Sequence, residues 1–219
     1  MGTSILIHSC PERRKYVDEC LVPSMIEQGI DRDDIVVWTD WDRIGNLASC
    51  IESFKWAEMH RGETWHLQDD VIICRDFAER IRGAPDGVVC GFCADCFEDC
   101  FVPGPVMPLQ MWQSSFPCIK IPDDIAGDFA RWVTDVAGIR EDLRPMVETG
   151  RKDDTLFRIY MLEEHYTMPV YNMLPHLVDH VDYLIGGSVI NRWRGYIARS
   201  SHFEDEYLIT ELKRKLASR

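Results

Sequence analysis

The feature that most constrains this chain is an alternation that runs through its first 92 residues. Short apolar runs, Ser4-Ile5-Leu6-Ile7-His8, Ile35-Val36-Val37-Trp38-Thr39, Trp65-His66-Leu67-Gln68 and Gly87-Val88-Val89-Cys90-Gly91-Phe92, are separated by stretches of helical character. Pro11 and Glu12 suit a helix start, and Val17, Leu21 and Val22 share a face that Pro23 ends or kinks. Gly45-Asn46 opens the next helix, with Leu47, Ile51, Phe54 and Met59 at roughly helical spacing. A third helix is expected from Asp76 to Ile81, stopped by Gly83 and Pro85. Such β-α-β-α-β-α-β order predicts an α/β fold, a mostly parallel sheet with helices on both faces.

The third run leads straight into two carboxylates, Asp69 and Asp70, before Val71-Ile72-Ile73. In an open α/β sheet, ligands bind outside the carboxyl ends of the strands. Paired acids there suit a divalent cation that bridges phosphate oxygens, Mg²⁺ or Mn²⁺. The same pair also suits a turn or a helix cap. These residues alone leave both readings open.

Composition narrows the function classes. A chain of 219 residues, 46% hydrophobic and 28% charged, has room for one substantial core. A net charge of −13 weighs against a dedicated nucleic-acid binder, which needs a basic surface. No basic segment precedes a long apolar one near Met1, and no apolar run approaches the ~18 residues of a membrane span. With nine cysteines, an odd number, the expectation is a cytoplasmic protein with reduced thiols.

Beyond Phe92 the pattern loosens. Residues 93–122 are rich in Cys, Pro, Gly and Trp without helical period. A helix is expected from Pro122-Asp123-Asp124, with Ile125, Phe129, Trp132, Val133 and Val136 on its apolar face. Residues 140–152 read as a polar loop, and a helix follows through Leu156, Ile159, Tyr160 and Leu162. Met168-Pro169-Val170-Tyr171 reads as an edge strand because of its proline, 172–202 as a long loop region, and 203–218 as a polar helix.

Taken in order, several short motifs resemble one family. They are Pro-Glu-Arg-Arg after the first strand, Thr39-Asp40, the Gly45-Asn46 helix start, Gln68-Asp69-Asp70-Val71, Asp153-Asp154 and Pro175-His176-Leu177-Val178-Asp179-His180. Over about residues 5–190 the chain resembles nucleotide-sugar glycosyltransferases of the GT-A fold, of a small phage-like type. It departs from the family pattern at Gln68, a neutral amide where an acid is usual.

The resemblance implies a single domain across 1–219. Residues 1–92 would bind the nucleotide sugar, 93–190 would meet the acceptor and complete the metal site, and 191–219 would form a C-terminal extension. It implies a UDP-sugar donor and Mn²⁺ or Mg²⁺ held by Asp70 and His180, with His176 as the alternative ligand. Gln68 and Asp69 would contact donor ribose or sugar. Asp40 would meet the uracil imide, Ser9 and Arg13 the base or ribose, and Asn46 would cap its helix or meet the ribose. Asp154 would be the acceptor base in an inverting transfer, with Asp153 in contention. The acceptor stays open among a modified DNA base, a glycan and a small metabolite.

Two rivals come from the residues themselves. Cys90, Cys93, Cys96 and Cys100 have the C-x₂-C-x₂-C-x₃-C spacing of a ferredoxin cluster run, and thiolates so placed also suit zinc. Phe101 stands where that run expects proline, and Cys90 sits in an apolar strand that would bury a thiol anyway. The other rival is a non-catalytic nucleotide-binding module. Trp112 and Phe116 would stack on a ligand or fill a loop core.

Overall fold

A computed structural model describes residues 4–60, 62–92, 106–107, 116–186, 200 and 203–218. In chain order the elements are β1 (Ser4–Ser9), α1 (Arg14–Tyr16), a π-helical turn (Val17–Leu21), α2 (Val22–Glu27), β2 (Ile35–Thr39), α3 (Asn46–Glu58), β3 (Glu63–Gln68), β4 (Val71–Ile73), α4 (Phe77–Arg82) and β5 (Val89–Cys90). There follow β6 (Val106–Met107), β7 (Cys118–Pro122), α5 (Asp123–Trp132) with a π-helical extension (Val133–Ala137), α6 (Arg144–Thr149), α7 (Asp153–Glu164), β8 (Val170–Asn172), β9 (Val178–His180) and α8 (Glu206–Ala217).

The main sheet has the order β2-β1-β3-β7-β5-β8-β6. β1 is parallel to β2 and β3, β7 is antiparallel to β3 and β5, β8 is parallel to β5, and β6 is antiparallel to β8. Five strands therefore run one way, and β6 and β7 run against them. The class is α/β as expected, with the parallel order interrupted by β7. A second sheet pairs β4 with β9, antiparallel.

The elements of the first half lie close to their expected bounds, with the fourth strand reduced to Val89–Cys90. Pro23 does not stop the first helical stretch. The chain passes it through the π-helical turn, and the carbonyl of Glu19, which Pro23 lacks an N–H to reach, is met by Lys215 Nζ at 3.4 Å.

Four expectations beyond Phe92 are corrected. The irregular stretch 93–122 ends in a true strand, β7, whose apolar Ile119 and Ile121 carry no helical period and pair between β3 and β5. The polar loop 140–152 holds α6. β8 is an inner strand, because Pro169 precedes the paired residues and costs the ladder no bond. The expected loop 172–202 contains β9.

Each face of the main sheet has its own core. Ile5, Ile7, Trp65 and Leu67 pack with Val17, Leu21 and Met25, and with Ile209 and Leu212 of α8. On the other face Ile119 and Ile121 meet Phe54 of α3, Phe129 of α5 and Phe157 of α7. Each such apolar side chain contributes about 1.5–3 kcal/mol on burial. α3 and α5 approach so closely that a Cβ on Gly127 would overlap the Glu58 side chain. The carboxyl ends of β1, β2, β3, β5 and β8 consequently share one edge of the sheet, where Ser9, Thr39, Gln68, Cys90 and Asn172 stand.

Candidate functional site

At that edge β3 ends in Gln68, and Asp69-Asp70 turn the chain into β4. β4 pairs with β9 so that Val71 stands opposite His180, and Val181 N–H donates to the Asp70 carbonyl at 2.8 Å. This pairing joins segments more than a hundred residues apart. It brings Asp70 and His180 together, Nε2 to Oδ1 at 3.5 Å, and the turn after β9 adds Asp182. One ligand atom from each of Asp70, His180 and Asp182 lies within 4.8 Å of the others.

Two carboxylates and an imidazole form a donor set for a divalent transition ion. Among the described residues Asp70 Oδ1 is buried with no hydrogen-bond partner, and such a group calls for a cation or a donor. By both tests the residues fit a metal. Asp182 was not foreseen. The signal for it was His180-Val181-Asp182, a second candidate ligand two residues beyond the first.

The surrounding side chains tie the ends of the strands together. Gln68 Oε1 lies 3.2 Å from His180 Nε2, an N–H contact that a cation on that nitrogen would replace. Phe92 stacks on the same ring, centroids 5.4 Å apart and 21° between planes. Asp69 is buried and accepts the Cys10 N–H at 2.8 Å. Burial, and next the charge of Asp70, raise its carboxyl above the usual carboxylate range. Arg13 is buried as well. It donates to the Ile185 carbonyl at 3.1 Å and stands 4.0 Å from Asp70 Oδ2, so it faces the acids.

The nucleotide-side expectations fare differently. Both carboxylate oxygens of Asp40 are engaged by the loop that follows, taking Ile44 N–H at 2.9 Å and Gly45 N–H at 3.0 Å. Gly45 has φ +99°, a conformation side chains rarely adopt, so the loop needs glycine there. Ser9 Oγ donates to the Cys10 carbonyl at 3.2 Å, and the Ser9 carbonyl accepts from Asp40 N–H.

Asn46 does not cap α3. Its Nδ2 donates to Asp153 Oδ1 at 2.7 Å, and Leu47 N–H donates to the Gly150 carbonyl, which locks the starts of α3 and α7 together. α3 begins just beyond the carboxyl end of β2, so Asp153 is held on the ligand-binding side of the sheet. Burial, with the Asp154 charge adding to it, pushes Asp153 up to about 7. Asp154 instead turns back on α7, its Oδ1 accepting from Thr155 N–H at 2.6 Å and facing Thr155 Oγ1 at 3.2 Å.

Behind Gln68 lies a polar chain that the sequence did not announce. Ser53 donates its hydroxyl to the Cys50 carbonyl at 2.7 Å, so it must accept from His8 Nδ1 at 3.2 Å. His8 Nε2 is then bare and accepts from His66 Nδ1 at 3.0 Å. Both rings are neutral, His8 held down to about 4 by burial and His66 well below its usual value for the same reason.

His176, the alternative ligand, is buried against Ser200 and lies outside the cation cluster. Of the cysteine run, Cys93, Cys96 and Cys100 lie outside the described residues, as does Trp112. Cys90 is buried and donates its thiol to the Phe92 carbonyl at 2.9 Å. Phe116 is buried against Phe54 and Phe157, which makes it part of the core.

No protein-family model matches this chain, and no curated protein matches it.

Proposed function

We propose that the protein is a metal-dependent glycosyltransferase, moving a sugar from a nucleotide sugar, a UDP sugar first among candidates, to a hydroxyl-bearing acceptor. The observation that carries this reading is the convergence of Asp70, His180 and Asp182 at the carboxyl edge of the sheet. These three residues would hold the cation. The imidazole among them favours Mn²⁺ over Mg²⁺, which prefers oxygen ligands. When bound, the ion supplies Lewis-acid neutralisation of the charge that builds on a departing diphosphate.

The chain's own residues do the rest. Phe92 stacks on the His180 ring and holds it, while Arg13 adds positive charge beside Asp70. Asp153 is the better general base of its pair. Its burial sets it near neutrality, where a base works best, and Asn46 holds its Oδ1 in place. In the transfer, the acceptor hydroxyl gives its proton to Asp153 as its oxygen bonds to the anomeric carbon. The bond from that carbon to the phosphate oxygen breaks, and the nucleoside diphosphate leaves with the electron pair. Direct displacement inverts the anomeric configuration. The net charge of −13 weighs against DNA as acceptor and leaves a glycan or a small metabolite.

A thermal-stability screen of nucleotide sugars, with and without Mn²⁺, tests the reading. A UDP sugar at 100 times its Kd raises stability by about 2.7 kcal/mol, and only when Mn²⁺ is present. Stabilisation by no nucleotide sugar, with no UDP released on incubation, would contradict it.

A further inference from the structure

The three candidate ligands stand on very little regular structure. β4 and β9 pair over three residues each, and an isolated two-stranded ribbon is at best marginally stable in water. His180 ends that ribbon and Asp182 lies just beyond it, so their positions depend on whatever grips it from outside.

Asp179 sits in the ribbon between Val178 and His180, at 0% exposure. Its Oδ1 accepts two backbone N–H groups, from His180 at 2.9 Å and from Ser200 at 3.0 Å. Ser200, also buried, places its hydroxyl against Nδ1 of His176, just ahead of β9. Farther along, Asp205 Oδ2 accepts Arg75 N–H at 2.9 Å, just past the end of β4. Phe203, Ile209 and Leu212 join the core that holds Val71, Ile73 and Val178. The C-terminal stretch thus grips both strands, β9 through Asp179 and His176, and β4 through Asp205.

We infer that Asp179 is a positioning residue for the cation site, the link through which the C-terminal stretch fixes where His180 and Asp182 stand. The inference rests on the transferase reading above. One carboxylate oxygen ties the His180 amide to Ser200, so the backbone from which the imidazole projects is pinned to a second segment. Loss of that tie leaves all three ligands in place and lets their spacing drift. Outer contacts of this kind are typically worth about 10–100-fold in metal affinity.

The test is a calorimetric titration of the full chain with MnCl₂, comparing wild type with Asp179→Ala, Asp123→Ala and Asp70→Ala. Asp123 is the control for general destabilisation. It too is a buried carboxylate, accepting from Gly62 N–H and the Thr64 hydroxyl, but it stands beside β3 and β7. Asp179→Ala is expected to weaken Mn²⁺ about 10–100-fold, with Asp123→Ala within about threefold of wild type. An Asp179→Ala protein that binds within that same margin, or an Asp123→Ala protein weakened equally, overturns the inference. If Asp179→Ala does not fold, Asp179→Leu is titrated instead, since it keeps much of the side chain's volume and offers the His180 and Ser200 N–H groups no acceptor. A loss of about threefold or more supports the inference and an unchanged Kd overturns it. Failure of the transferase reading shows separately, as a wild type that takes up no Mn²⁺ or an Asp70→Ala protein that binds it undiminished.

Discussion

Two pairs of adjacent aspartates, Asp69-Asp70 and Asp153-Asp154, begin alike in this molecule and end differently. The first member of each pair is buried and accepts one N–H from a distant segment, Asp69 from the Cys10 backbone and Asp153 from the Asn46 side chain. Burial raises both carboxyls, and the neighbouring aspartate raises them further. The second members diverge. Asp70 meets His180, Asp182 and Arg13, whereas Asp154 folds back onto Thr155. The same dipeptide becomes a candidate cation ligand in one place and a candidate base in the other, according to the partners that tertiary structure delivers.

The sharpest way to separate the pairs is by turnover. Asp153→Asn should lower turnover by about 10²–10⁴-fold with Mn²⁺ affinity unchanged, as measured by steady-state release of nucleoside diphosphate. Asp154→Asn should leave turnover within about tenfold of wild type, below the lower limit of that range. If the two variants exchange these outcomes, the assignment within the pair is reversed.

Stability against pH sharpens the comparison next. A carboxyl raised from 3.8 to about 7 binds its proton more tightly in the folded state. Its favourable contribution is complete below pH 3.8 and is lost as pH rises through 7. Asp153→Asn should therefore gain on wild type between pH 4 and pH 8, by about 4 kcal/mol at most, in urea melts.

His8 has the opposite sign. Its folded-state value, about 4, lies below the ordinary 6.5, so the unfolded chain binds more protons between the two. The wild type should lose about 3 kcal/mol as pH falls from 6.5 to 4, and His8→Phe should lose less over the same window. A wild type and a His8→Phe variant with parallel profiles would count against the neutral His8–His66 pair.

The smallest effect belongs to Asp154. Removing its bond to Thr155 N–H with Asp154→Ala should cost about 0.5–1 kcal/mol, the low end for a helix-start acceptor, in the same melts.

Much of the site was legible because its parts lie at strand ends. The apolar runs placed β1, β2 and β3, and with them the edge where Asp69 and Asp70 stand. The pairing of Asp70 with His180 was expected from motif order, and β9 supplies the contact. Hidden were the features set by long-range partners. Nothing near Asp40 told whether its carboxylate would face a ligand or close the loop to Gly45, and turn chemistry prevailed. Asn46 had no local sign that it would reach α7. β7 was obscured because antiparallel insertion between two distant strands leaves no periodic trace in five residues. Asp179 was read only as part of a motif, since its partner Ser200 lies 21 residues away.

The most direct test of the account is pulsed electron paramagnetic resonance on the Mn²⁺-loaded chain. It predicts one imidazole nitrogen bonded to the ion in wild type, with that coupling absent in His180→Ala. Spectra showing no nitrogen coupling, or the same coupling in His180→Ala, would contradict a cation held by Asp70, His180 and Asp182.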